Sequence, residues 1–283
     1  MKLCTFTHDS ITRFGIHTDS GVIDLAPHFS DRDISDLKGI LDANLIDKCR
    51  EISTSSQDLI ALDDILYEPV IPNSGKILCV GINYQAHKVE TGNPDYQYPM
   101  FFSRYPESQV GHQRAILKPR ETEKLDYEGE LAVIIGKAGR RISARDALSH
   151  IAGYACYNDG SVRDFQRHTT QFLPGKNFVG TGAFGPYMVT ADEIPDPTKL
   201  HLQTRLNGEV MQASDTSLMI NPIPQLIEYI SQVVPLSVGD VLVTGTPGGV
   251  GCKRKPPVYL SAGDNIEVEI SGIGILANIV EDD

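Results

Sequence analysis

The stretch LDYEGELAVIIG, residues 125–136, constrains this chain more than any other. Leu131 to Ile135 form an apolar run of the kind that makes a buried strand. Asp126, Glu128 and Glu130 lead into it at a spacing of two. Side chains alternate faces along a strand, so a single strand would carry all three carboxylates to one side. Like charges repel, and a carboxylate drawn toward a core needs a partner of comparable charge. Two readings are open: a solvated strand end answered by Lys124, Lys137 or Arg120, or a site with a cation among the acids. Ligation by several carboxylates suits a hard divalent ion, magnesium, manganese or calcium, rather than zinc.

Two further segments carry chemistry. In ACYNDGSVRDFQ, residues 155–166, Asp159 follows a short strand-like piece. Asn-Asp-Gly is turn-prone, so an ordinary turn explains it; as a third ligand it would complete a Glu, Glu, Asp set with positions open for substrate. In GINYQAHKVETGN, residues 81–93, Asn83 can cap a short helix that Gly92 closes. His87 and Glu90 then stand at i and i+3 on one helix face. A carboxylate beside histidine raises its basicity and fixes its tautomer, as a general base requires. The plain alternative is a solvated helical pair.

The rest of the chain sets the architecture. KILCVGI, ELAVIIG, GPYMVT, LHLQTRLNG, DVLVTG, NIEVEI and IGILANIV read as short strands bounded by turn residues. Helical patterns are fewer: SARDALSHIAGY behind an N-cap at Ser143, and PIPQLIEYISQVV. Without strict βαβ alternation the fold class is α+β and mainly β. Residues 1–70 differ in texture, with the strand-like pieces KLCTFT, RFGIHT and GVIDLA and a helical pattern at Leu37, Ile40, Leu41 and Leu45. They read as a small α/β domain, and EPVIPNSG marks the boundary to a second domain, residues 71–283. GTGAFG, residues 180–185, matches a dinucleotide fingerprint in letters only, because Pro186 and YMVT follow where a helix should open, and it reads as a turn between strands. GTPGGVGCK, residues 245–253, lacks the GK[ST] ending of a phosphate loop, yet its backbone N–H groups can hold a carboxylate or oxyanion.

Net charge of −12 argues against nucleic acid. No apolar run reaches the ~18 residues that span a bilayer, and no apolar signal core opens the chain. Five scattered cysteines without a CxxC pair suggest neither a zinc cage nor a disulfide framework and fit a reducing, cytoplasmic setting.

Taken in order, KILCVGINYQAH, MFFSRYPESQVG, LDYEGELAVIIGKAGRRI, GYACYNDGSVRDFQ, PGKNFVGTGAFGP, RLNGEVMQ, GDVLVTGTPGGVG and IGILANIV resemble the fumarylacetoacetate hydrolase family. The resemblance runs from about residue 75 to the end, and the first 70 residues resemble the variable N-terminal domain of many members. It implies a mixed β-sandwich roll, usually in a homodimer. It implies a divalent metal, magnesium or else manganese or calcium, on Glu128, Glu130 and Asp159, with Asp126 outside the ligand set. It implies a water-activating pair in His87 and Glu90 and an active-site lysine in Lys176. Gln166 and Thr246 match residues that face the substrate. Arg104 stands where many relatives have lysine, and its planar fork suits a substrate carboxylate.

The leading expectation is metal-dependent hydrolysis of a carbon–carbon bond in an acylpyruvate-type or other 1,3-diketo acid. His87 would deprotonate water, and Lys176 or backbone near Thr246 would hold the oxyanion. The alternative is decarboxylation or tautomerisation of a related oxo-diacid through the same enolate. A metal-binding protein without turnover is the third reading, and it leaves His87, Glu90 and Lys176 without a task.

Overall fold

The computed structural model describes residues 1–56 and 58–283. Two open sheets lie face to face, so the α+β, mainly β class holds. The central sheet runs, edge to edge, through Gly21–Asp24, Ile11–Thr18, Lys2–His8, Gly182–Thr190, Ile151–Asn158, Gly129–Ile135, Val241–Val243, Ile77–Gly81 and Met100–Arg104. Its pairings along this path are antiparallel except Val241–Val243 on Ile77–Gly81. The second sheet orders Glu209–Asp215, His201–Leu206, Asn265–Ile270, Gly274–Asp282 and Ile116–Lys118. The N-terminal strands continue the central sheet, with Lys2 opposite Val189 and Leu3 opposite Met188. None of the described helices is long and apolar enough to cross a membrane.

The strand Gly129–Ile135 is buried at every residue because both of its faces are covered. Leu131, Val133 and Ile135 join the core shared with Leu202, Val268 and Leu276 of the second sheet. Ala132 and Ile134 join a second core with Leu3, Leu37, Ile40 and Leu41 from the N-terminal segment. The period-2 alternation therefore divides one apolar run between two cores, and it places Glu128 and Glu130 in line with Ala132 and Ile134.

Asp126 does not share that strand. The ladder breaks after it, and Leu125–Asp126 pairs separately with Ser161–Val162. The turn-prone Asn-Asp-Gly lies just past the strand Ile151–Asn158, which places Asp159 beside the acidic end of its neighbour. Gly129 faces Asn158 and Glu130 faces Tyr157 in register, and the Asp159 amide donates to the Glu128 carbonyl at 2.9 Å. Sheet pairing alone thus brings Glu128, Glu130 and Asp159 to one place.

Three local expectations are corrected. Residues 143–154 do not form a helix: Ser143 closes a turn with Asp146, a short 3₁₀ turn covers Ala147–His150, and Ile151–Asn158 is a strand. The tertiary demand for a central strand overrides the helical pattern there. Asn83 does not cap the helix Gln85–Thr91, whose N-cap is Tyr84. Its buried amide instead donates to the carbonyls of Thr244 and Asn221 and accepts from the Asn221 amide, fastening the base of that helix to the glycine-rich loop. Gly92 does close the helix, in the left-handed region at φ 73°. GTGAFG lies largely within the strand Gly182–Thr190. His112 is half-buried: its Nδ1 accepts from the Ala277 amide at 3.0 Å, and burial lowers its pKa to about 4, so it stays neutral.

The approach of Asp159 to the triad depends on Gly160. A Cβ at that position would stand 1.8 Å from the Thr181 carbonyl oxygen, a backbone atom that cannot swing aside. Gly160→Ala should destabilise the fold by about 3 kcal/mol, the upper end of the overpacking range, read as a lower urea midpoint with an unchanged m-value.

Candidate metal centre and active site

Glu128, Glu130 and Asp159 are all buried and offer ligand oxygens that lie within 4.8 Å of one another. Buried carboxylates at such separations need positive charge. Lys176 answers Glu128 Oε2 at 2.7 Å and Asp159 Oδ2 at 2.6 Å. Arg163 pairs with Glu128 Oε1 at 2.7 Å and donates through Nε to Asp126 Oδ2 at 2.8 Å. Arg104 pairs with Asp159 Oδ1 at 2.5 Å.

Glu130 is treated differently. Its hydrogen bond comes from the Gly245 amide, at 2.5 Å, and among the described residues it has no ion pair. Burial pushes its carboxyl well above the usual range, and Asp159 and Glu128 push it further, against the pull of Lys176 and the Gly245 amide. Glu128 goes the other way: burial raises it, but Arg163 and Lys176 outweigh that and hold it well below the usual range. A group of three buried acids whose third member lacks a cation fits a divalent metal. The donor set, all carboxylate oxygen, is that of a hard ion. Glu128, Glu130 and Asp159 would hold it.

Arg104 does not face substrate. It is buried, and its five N–H bonds are spent on Ser108 Oγ, Ser108 O, Asp159 Oδ1, Gly160 O and Thr181 Oγ1. The fork expected to clamp a substrate acid clamps the Asp159 carboxylate instead. The same geometry revises Lys176, whose ammonium donates to Glu128, Asp159 Oδ2 and, at 3.5 Å, Asp159 O. Thr246 is likewise committed: its hydroxyl donates to Gly129 O and accepts from Gln212.

Glu128 and Glu130 open onto a cavity of about 350 Å³, in the range that holds a small organic acid. His87, Glu128, Glu130, Gln166, Lys176 and Thr246 all line it. His87 Nδ1 meets Glu90 Oε1 at 2.8 Å, and Glu90 Oε2 accepts from the Gly249 amide at 2.9 Å. A carboxylate only accepts, so Nδ1 carries the proton directed at Glu90. The glycine-rich loop thus holds Glu130 through Gly245, Glu90 through Gly249 and Asp126 through Gly251 and Cys252. Its amides bind the chain's own carboxylates.

Sequence reasoning passed over Arg163. It opens the short helix Arg163–Gln166, and its Nη1 donates to Gln166 Oε1 at 3.0 Å, so it orients that side chain as well as Asp126 and Glu128. The signal was available in charge balance: each acid expected to be buried called for a cation, and RDFQ supplies one.

Manganese at about 100 times its Kd should stabilise the native chain by about 2.7 kcal/mol. Glu130→Gln should erase that gain while making the metal-free protein more stable than the parent, because it removes the one acid without an ion pair. Thermal unfolding in EDTA and in manganese reads both signs, and a parental manganese shift in the variant would remove Glu130 from the ligand set.

Residues 76–281 match the model of the fumarylacetoacetate hydrolase C-terminal domain. Oxaloacetate tautomerase YisK of Bacillus subtilis is 43% identical over 216 residues, which cover 75% of this chain and 72% of that relative. Fumarylacetoacetate hydrolase from the psychrophile Exiguobacterium antarcticum superposes with a TM-score of 0.85 at 34% identity, covering 100% of both chains. Maleylpyruvate hydrolase from Sphingobium, in complex with manganese(II) and pyruvate, superposes with a TM-score of 0.82 at 25% identity, covering 100% of this chain and 99% of that one. The matched domain spans every member of the acid triad and the residues around it, and the chain belongs to the fumarylacetoacetate hydrolase family of enzymes.

Proposed function

We propose that the chain is a divalent-metal-dependent enzyme that interconverts the keto and enol forms of a small 2-oxo dicarboxylic acid of the oxaloacetate type. This is the alternative among the two chemistries expected from sequence, and it is preferred here to carbon–carbon hydrolysis. The 43% identity to an oxaloacetate tautomerase supports it. The observation in the site that carries it is the commitment of Lys176 and Thr246 to groups of the chain itself. Hydrolysis needs donors aimed at a tetrahedral oxyanion; Lys176, the side chain expected to supply one, is engaged by Glu128 and Asp159, and the Thr246 hydroxyl is engaged by Gly129 and Gln212. Tautomerisation needs an electrophile at the 2-oxygen and one base at C3.

Glu128, Glu130 and Asp159 would hold a divalent ion, which would supply the electrophile that makes the C3 hydrogens of a 2-oxo acid acidic. His87 Nε2 takes a proton from C3; the C3–H electron pair becomes the C2–C3 double bond, and the carbonyl pair moves to oxygen. Glu90 keeps Nδ1 protonated and compensates the positive charge that the ring gains. Proton return to oxygen gives the enol, and return to C3 reverses the reaction. Gln166, oriented by Arg163, borders the substrate. Phe102 and Phe172 provide an apolar wall that limits water. The homodimer implied by family resemblance belongs to the same proposal.

His87→Ala should slow keto–enol interconversion of oxaloacetate by ~10²–10⁴-fold, the contribution of a positioned base. The manganese-induced thermal shift should remain, since His87 is no ligand. A parental rate in the variant would take the histidine out of the reaction, and acylpyruvate cleavage faster than oxaloacetate enolisation by the parent would return the site to hydrolysis.

A further inference from the structure

The reading above leaves the second carboxylate of the substrate without a partner. Four cationic residues line the cavity: Arg163, Lys176, Arg167 and Lys253. The first two are spent. Arg163 is divided among Asp126, Gln166 and Glu128, and Lys176 between Glu128 and Asp159. Arg167 and Lys253 are exposed, and among the described residues neither side chain has a hydrogen bond or an ion pair. The acids lining the cavity are Glu128 and Glu130, both within the triad, so no carboxylate of the wall competes for these two cations.

Their placement has a cause. Arg163 and Arg167 are four residues apart across the short helix Arg163–Gln166 and its C-cap, which puts them on one face. Lys253 ends the 3₁₀ turn Gly251–Lys253. Asp126 fastens both segments: its carboxylate accepts from Arg163 Nε at 2.8 Å and from the Gly251 and Cys252 amides at 2.9 and 3.0 Å. The acid excluded from the triad thus joins the two supports that bring a free arginine and a free lysine to one cavity.

Resting on the reading above, we propose that Arg167 and Lys253 form the subsite for the distal carboxylate of a 2-oxo dicarboxylate, with Asp126 as the positioning residue that sets their spacing. The subsite confers preference for diacids over monoacids. The two cations act by contact with the distal group, so their removal weakens diacids alone; a diffuse attraction for anions would weaken monoacids in parallel.

The test uses the full chain with manganese and two ligands that lack a hydrogen at C3 and cannot enolise: 2-oxo-3,3-dimethylbutanedioate and its monoacid isostere 3,3-dimethyl-2-oxobutanoate. Calorimetry should show the parent binding the diacid about tenfold or more tighter, and Arg167→Gln with Lys253→Gln should reduce that ratio to about one by weakening the diacid only. Asp126→Asn should reduce the ratio in part. The same double variant should raise KM for oxaloacetate about tenfold, with the loss on KM rather than kcat. Equal affinity for both ligands in the parent, or parallel weakening of both in the double variant, overturns the subsite. A parent that prefers the diacid through these residues yet does not enolise oxaloacetate keeps the subsite and refutes the proposed reaction.

Discussion

The structure depends on the balance of charge around four buried acids. Asp126, Glu128, Glu130 and Asp159 are all withdrawn from solvent, and three buried cations, Arg104, Arg163 and Lys176, are placed among them. Burying an ion without a partner costs several kcal/mol, so neither group could be buried without the other. The balance is uneven, four acids to three cations, and the shortfall has a definite position. Asp126 has Arg163 and two loop amides, Asp159 has Arg104 and Lys176, and Glu128 has Lys176 and Arg163, while Glu130 has one amide. The unfilled demand for positive charge falls at one point, beside Glu130, and that point opens on the cavity.

From this arrangement the division of labour follows. The central sheet fixes the acids through register, since Glu130 faces Tyr157 and Asp159 follows Asn158. The glycine-rich loop after Val241–Val243 gives amides to Glu130, Glu90 and Asp126, so the acid triad, the His87–Glu90 pair and the rim are held by one segment. His87 is brought over the cavity by a helix whose base is fastened through Asn83 to that same loop. A reaction confined to proton movement at carbon suits such a site. It asks for a fixed electrophile and one mobile proton, and the remaining polar groups serve to hold those in place.

Much of this was legible in the sequence where a local rule had no competitor. The apolar run after Glu130 announced a buried strand, Gly92 announced a helix end, and the strands from Ile77 to Asp282 lie where turn residues bound apolar runs. Glu128, Glu130 and Asp159 meet as expected. What failed to read were partnerships that only tertiary structure creates. Arg104 looked like a substrate clamp because nothing in FFSR reveals that Asp159 will lie within its reach. Asp126 looked like a third acid of one strand because a ladder break two residues on leaves no mark in the letters. Arg163 was missed because its three partners lie at sequence distances of 3, 35 and 37 residues, as Gln166, Glu128 and Asp126. Residues 1–70 read as a separate texture, and their first strand, Lys2–His8, pairs with Gly182–Thr190, a partner that no local pattern announces.

The central claim is that the acid triad and His87 move a proton at C3 of a 2-oxo diacid without breaking its carbon skeleton. Proton NMR of oxaloacetate in deuterium oxide, with the manganese-free protein and a diamagnetic magnesium supplement, measures this directly. The account predicts loss of the C3 proton signals at a rate that rises with both protein and magnesium, ahead of any pyruvate or other cleavage product. Appearance of cleavage products at the same rate as, or before, exchange at C3 would contradict it.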